Sequence, residues 1–303
     1  MKKTVFVWAL IIALLFTACA GASGKDTEAT QTPTQTVDDG VLKVLLIGNS
    51  FSYYFTDELY GMLKTAGKEA VIANVYYSGC SLYRHVNDYK NNIAEFEYDV
   101  TDGNGRTEAK NVGLAFCLDA DDWDVISIQN HFYPKLTETF DSAMTACDPN
   151  AKDLIEIIRK HKPDAKIVWH ETWAFQVGYE RNDGKVTTVE DQTHQYEVIR
   201  DVTGKLTEKL GISVVPSGDA WQIARADPLI GDTLCTDTTR GDGKGDNYHD
   251  GNVGGGQYLN ACVWFEALTG QSPVGSLFYP DYSLSREAMK ALQTAAHQAF
   301  AEQ

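Results

Sequence analysis

Apolar positions along the chain alternate between two periods. Residues 41–47 (VLKVLLI) form an almost unbroken apolar run, as a strand buried on both faces of a parallel sheet requires. The run ends in Gly48, Asn49 and Ser50, and residues 53–67 then take up helical spacing through Phe55, Leu59, Met62, Leu63 and Ala66, with Gly67 as a stop. Further strands are predicted over 70–77, 123–130, 165–169 and 211–216. Helices are predicted over 151–161, 196–210, 219–226, 258–269 and 285–302. Three stretches lack either period. Residues 88–115 read as a polar excursion, a small hairpin outside the central sheet; 178–193 read as a polar insertion; 235–256 form a Gly/Asp/Asn/Thr loop. Strands alternating with helices predict a single α/β domain over residues 41–303, built on a mostly parallel sheet of five strands.

The first forty residues belong to a different regime. Lys2 and Lys3 precede an apolar stretch over 5–16 that is too short to span a bilayer comfortably, so residues 1–19 read as a targeting segment. Its end, FTAC at 16–19, resembles the bacterial lipobox with Phe in place of Leu. That resemblance implies cleavage before Cys19, a lipid on its thiol, and attachment to a bacterial membrane facing the periplasm or cell exterior. A plain secretory signal cut near Ala20 or Ala22 is the alternative, and either route exports the chain. Residues 20–40, rich in Thr, Gln, Ser, Asp and Gly, are a flexible tether.

The formal net charge of -16 argues against nucleic acid as a partner, because binding it relies on neutralising phosphates with Lys and Arg. The membrane is then met only through the N-terminal lipid. Five cysteines follow Cys19, at 80, 117, 147, 235 and 262. The odd number leaves at least one outside any disulfide, no pair has zinc-ligand spacing, and most read as small buried residues. Asp237, Asp242, Asp246 and Asp250 lack the twelve-residue calcium pattern with its terminal Glu, so no metal is expected. Residues 241–244 lack the outer Gly and the Ser/Thr of a phosphate loop.

Small polar residues follow the first three strands: Ser50, then Gly79, then Gln129 and Asn130. In a parallel sheet these ends share one edge, where open α/β sheets place reacting groups. In the late loop, Asp246 stands three residues before His249, a spacing that can turn a carboxylate onto an imidazole. A serine needs such a base, and it needs donors for the oxyanion that its attack creates.

This combination resembles the SGNH hydrolase superfamily, the GDSL-type esterases, and in particular its uncharacterised, DUF4886-like branch with GNSFS, here at 48–52. The resemblance implies a flavodoxin-like, three-layer α/β/α sandwich. It also implies Ser50 as nucleophile, Gly79 as an oxyanion-hole glycine, and Asp246 with His249 as the remaining triad members. The residues after His249, through Gly270, look like that branch's C-terminal signature. Two departures stand out. The usual Asp of the first block is Asn49, and the third block, normally Gly-x-Asn-Asp, reads IQNH at 128–131. Gln129 and Asn130 therefore compete as amide donor; Gln129 is favoured because related sugar acetylesterases carry Gln after this strand.

The expected activity is hydrolysis of small acyl esters, acetyl above all, on a small molecule or glycan, without a cofactor. Acyl transfer on the same serine and non-catalytic glycan binding are the alternatives. The oligomeric state is not legible. Ser52 reads as a helix-start hydroxyl, and His85, His131, His170 and His194 as surface or satisfied core residues. Trp173 and Tyr83 fit a sugar-binding cleft or plain packing.

Overall fold

The structure, a computed structural model, describes residues 40–130, 139–180, 184–238, 245–281 and 284–301. The targeting segment, Cys19, the tether up to residue 39, His131 and Asp242 lie outside them. Seven strands are hydrogen-bonded into one sheet: β1 (Val41–Ile47), β2 (Glu69–Tyr76), β3 (Phe96–Asp102), β4 (Gly105–Val112), β5 (Val125–Ile128), β6 (Lys166–His170) and β7 (Ser213–Val215). Their order is β4-β3-β2-β1-β5-β6-β7.

The five expected strands are all present and mutually parallel, from β2 through β1, β5 and β6 to β7. Counted alone they run 2-1-3-4-5, the flavodoxin-like order, and the chain reverses direction across the sheet between β1 and β5. The sheet is wider than expected. The stretch read as an excursion supplies β3 and β4, which extend the β2 edge antiparallel and bring the total to seven strands. Its polarity has a local cause: β4 is an edge strand with almost every side chain exposed, and Arg106, Glu108 and Lys110 on it suit an edge that must not pair further. β3 is seated by buried Phe96 and Tyr98, and its buried Asp99 is met by Arg106 at 3.3 Å.

Eight helices surround the sheet among the described residues: α1 (Thr56–Thr65), α2 (Leu82–Lys90), α3 (Leu114–Asp119), α4 (Phe140–His161), α5 (Val189–Leu210), α6 (Ser217–Ala226), α7 (Gly256–Thr269) and α8 (Arg286–Ala301). α4 and α5 begin well before their apolar periodicity. Each opens on a reciprocal threonine cap, Thr139 with Ser142 and Thr188 with Asp191, and α4 runs through Pro149, which in sequence reads as a breaker.

Alternate residues of β1 feed two cores. Val44 and Leu46 pack with α1, α6, α7 and α8, while Leu45 and Ile47 pack with α2, α3, α4 and α5. All four are at most 1% exposed, and burying each contributes roughly 1.5–3 kcal/mol. The three-layer α/β/α arrangement follows from that two-sided burial.

Candidate active site

β1 ends in a tight 3-10 turn, Ser50–Ser52, whose N-cap is Asn49. Several bonds fix this turn. Gly48 N–H donates to the Val75 carbonyl at 3.3 Å, and the Gly48 carbonyl accepts from His85 Nε2 at 3.1 Å. A carbonyl only accepts, so this nitrogen carries the proton; burial holds the His85 pKa down to about 4, leaving the ring neutral. Asn49 is fully buried and serves three partners. Its Oδ1 accepts from Phe51 N at 3.0 Å and from Gln129 Nε2 at 3.1 Å, and its Nδ2 donates to the Cys80 carbonyl at 2.9 Å. Asn74 Nδ2 donates to the Ser52 carbonyl.

Ser52 is fully buried, with its hydroxyl donating to the Asn49 carbonyl at 3.1 Å. Ser50 keeps 8% exposure at the head of the turn. Of the two serines in the motif, Ser50 is the more exposed.

Gly79 sits in the turn after β2 with φ +64°, in the left-handed region that glycine enters without steric cost. The Asn49–Cys80 bond ties this turn to the Ser50 turn. Burial pushes the Cys80 thiol up to about 12, so it stays protonated.

The two competing amides have different surroundings. Gln129 is 1% exposed, and its Nε2 donates to Asn49 Oδ1 at 3.1 Å and to Ser52 Oγ at 3.4 Å. It packs so close to Gly48 that a Cβ there would lie 2.2 Å from Nε2. This amide braces the turn that carries Ser50. Asn130 is only half-buried and stands on the Gly79 side: its Oδ1 accepts a long bond from Leu82 N at 3.5 Å, and its Nδ2 points to Cys147 Sγ at 3.4 Å.

Asp246 and His249 lie in the loop before α7. Asp246 Oδ1 accepts from Tyr248 N at 3.2 Å and His249 N at 2.9 Å, closing the turn, while Oδ2 meets His249 Nδ1. The imidazole is 8% exposed and lies against the segment that follows Ser50, its centroid 6.0 Å from the Phe51 ring and 5.2 Å from the Tyr54 ring. Phe51 and Tyr54 belong to the stretch that Ser50 opens. The loop that carries His249 is therefore packed onto the segment that carries Ser50.

From His249 a row of half-buried rings continues away from the sheet's centre. Tyr54 meets Tyr53 at 5.2 Å, Tyr53 meets Tyr76 at 4.7 Å, and the Arg106 guanidinium lies 4.4 Å above Tyr53. Of the two aromatic residues suggested for a cleft, Tyr83 is 63% exposed on α2, whereas Trp173 is 1% exposed and packs in the core. His170 is also fully buried, with Nε2 at 3.0 Å from Ser217 Oγ. The five cysteines of the described residues are all buried and unbridged. Sequence reasoning missed the bracing by Gln129 and His85 and the contacts of Trp173, which bring loops distant in sequence together.

Residues 43–299 match the family described as DUF4886, a domain of unknown function. A crystal structure of a DUF4886 family protein from Bacteroides uniformis is 30% identical, covers 86% of this chain and 95% of its own, and superposes with a TM-score of 0.74. More distant likenesses include a GDSL-like lipase from Bacteroides thetaiotaomicron (13% identity, 78% and 92% coverage, TM-score 0.41). A carbohydrate esterase family 3 structure from Talaromyces cellulolyticus is comparable (12% identity, 76% and 97% coverage, TM-score 0.44). No curated protein matches. With the family profile spanning nearly all of the sheet and its helices, the chain belongs to the DUF4886 family.

Proposed function

We propose that the protein is a serine esterase that removes small acyl groups, acetyl above all, from a carbohydrate. The observation that carries this reading is the Asp246–His249 pair, turned into one acid–base unit and packed on the Phe51 and Tyr54 rings beside Ser50. A carboxylate on Nδ1 directs the free lone pair of the neutral imidazole to Nε2, where a serine proton can be taken.

In this mechanism His249 Nε2 takes the Ser50 hydroxyl proton as Oγ bonds to the ester carbonyl carbon. The carbonyl oxygen becomes an oxyanion held by the N–H groups of Ser50 and Gly79 and by the Asn130 amide. Asn130 takes this role in preference to Gln129 because both N–H groups of the Gln129 amide go to Asn49 and Ser52, whereas Asn130 gives one to Cys147 Sγ. The tetrahedral intermediate collapses, the C–O bond to the alcohol breaks, and His249 returns its proton to that oxygen. Water, giving a proton to His249, then attacks the acyl carbon, the C–Oγ bond breaks, and His249 returns the proton to Ser50 Oγ as acetate leaves. No step calls for a cofactor.

A sugar as the alcohol portion is supported by the half-buried Tyr54–Tyr53–Tyr76 row next to His249, whose faces suit the C–H surface of a pyranose. Export, with a lipid on Cys19 and residues 20–40 as tether, would place the enzyme on the outer side of a bacterial membrane, where acetylated glycans are met.

Hydrolysis of a chromogenic acetate by wild type, Ser50→Ala and His249→Ala tests the reading. Both variants are expected to lose roughly 10⁴-fold or more in kcat. Wild-type rates in both would overturn it.

A further inference from the structure

The hydrogen bonds between Asp246 and the His249 backbone and ring all lie within one turn. They orient the imidazole inside the loop, but they do not place the loop against Ser50. The Phe51 and Tyr54 rings touch the imidazole directly, and further ties come from outside residues 246–249.

Trp173 reaches both segments. It lies three residues beyond the end of β6 and is 1% exposed. Its indole Nε1 donates to the Tyr248 carbonyl at 2.9 Å, in the peptide that joins Tyr248 to His249. Its ring lies 4.7 Å from the ring of Phe51, the neighbour of Ser50, and Trp221 stacks on it at 4.3 Å and 7°. Gln176 adds a second tie. Its N–H donates to the Asn247 carbonyl at 2.7 Å and its Nε2 to Asn247 Oδ1 at 3.3 Å. Asn247 has φ +65°, a left-handed conformation that a non-glycine residue holds at a cost unless its surroundings fix it.

The segment that carries these ties is itself anchored. Arg225 Nη2 donates to the Ala174 carbonyl at 2.7 Å, and Arg225 Nε pairs with Asp232 Oδ1 at 2.8 Å. Asp232 Oδ2 accepts from Val177 N at 2.8 Å. Phe175 N donates to Gln195 Oε1 at 2.9 Å.

We infer that Trp173 is a positioning residue that sets the approach of His249 to Ser50, gripping the Tyr248 carbonyl with its N–H and packing its ring on Phe51. Gln176 supports it by holding Asn247. The inference rests on the assignment of Ser50 and His249 made above. A misplacement of about 1 Å between reacting groups can cost on the order of 10²-fold in rate.

Trp173→Phe keeps an aromatic ring against Phe51 and Trp221 and removes the N–H. On a chromogenic acetate its kcat should fall about 10- to 100-fold with KM changed less than about threefold, and fluorophosphonate labelling of Ser50 should slow in parallel. Trp169→Phe is the matched control. Trp169 is fully buried on β6 and donates to Thr203 Oγ1 at 3.1 Å, so the same atoms and one hydrogen bond are lost. Its melting temperature should fall comparably while kcat stays within about twofold of wild type.

A folded Trp173→Phe with wild-type kcat overturns the inference, as does an equal kcat loss in Trp169→Phe. If Trp173→Phe does not fold, Gln176→Met decides: a kcat loss at unchanged KM supports the inference and a wild-type kcat overturns it. Ser50→Ala and His249→Ala in the same assay separate the two readings. If they are inactive while Trp173→Phe is not, only the positioning role falls; if they keep wild-type rates, the triad itself falls.

Discussion

Asn49 donates through Nδ2 to the Cys80 carbonyl at 2.9 Å, joining the turn of Ser50 to the turn of Gly79. The corresponding position of GDSL-type esterases usually carries Asp, and a carboxylate could not make this bond, because an ionised Asp only accepts. The oxygen of Asn49 meanwhile accepts from Phe51 N and Gln129 Nε2, so both ends of the amide are used in a fully buried site.

Asn49→Asp should therefore destabilise the protein, although it restores the commoner residue. It sets a carboxylate oxygen against a carbonyl oxygen with no donor between them. The expected loss is about 2–4 kcal/mol in chemical denaturation. A variant as stable as wild type would show that the Asn49–Cys80 tie carries no weight.

Asp246→Asn separates the turn from the chemistry. The Asn oxygen can still accept from the N–H groups of Tyr248 and His249, now 3.2 and 2.9 Å from Asp246 Oδ1, so the loop should keep its shape. The amide NH₂ then faces His249 Nδ1 and forces the ring proton onto Nε2, where the base needs its lone pair. A kcat loss on the order of 10³–10⁴-fold with a nearly unchanged melting temperature is the expected outcome. Activity within tenfold of wild type would remove Asp246 from the triad.

The sequence made the centre of this molecule legible and its margins obscure, for reasons of burial. β1 is buried on both faces, so its apolar run is continuous, and the turn after it is marked by three small polar residues. Asp246 and His249 are close in sequence, so their pairing could be anticipated from spacing. The hairpin over 88–115 was legible but not its place in the sheet, because β4, an edge strand with exposed side chains, has no apolar face to mark it as a sheet member. The first turn of α5 is polar and end-capped, which hides it from a periodicity that only buried residues create, and Pro149 interrupts the helical pattern of α4. Trp173 was recognisable as an aromatic residue after a strand. Its hold on Phe51 and Tyr248 depends on three loops meeting at one sheet edge, and no local pattern records that.

Gln129 and Asn130 are neighbours of the same chemical type, and only their surroundings part them. Gln129→Ala removes the donor to Asn49 and Ser52 and leaves a void beneath the turn. It should lower stability by about 1–3 kcal/mol while kcat falls less than about tenfold. Asn130→Ala should do the reverse: kcat down about 10²–10³-fold, KM and stability little changed, as for loss of one oxyanion donor. Kinetics and denaturation of both variants check the assignment, and exchanged phenotypes would return the oxyanion role to Gln129.

Buried titratable groups give the stability a pH profile with two limbs. Burial lowers the pKa of His85 to about 4 and of His170 to about 3, from 6.5. Each therefore contributes stability that is present above pH 6.5 and lost as the pH falls through those values, where the folded protein must charge a buried ring. Glu171 acts in the opposite sense. Burial, with the neighbouring Asp219 charge adding to it, raises its pKa well above 4.5, despite the Asp219 N–H that donates to Glu171 Oε1 at 2.9 Å. Its contribution is full below pH 4.5 and is lost as the pH rises through the folded-state value. Glu171→Gln keeps an acceptor for Asp219 N and removes the titration. Its melting temperature relative to wild type should thus climb as the pH is raised above 4.5 and level off once the folded-state value is passed, measured by thermal denaturation in matched buffers. A difference that stays constant over that range would mean that Glu171 binds its proton no more tightly in the folded chain than in the unfolded one.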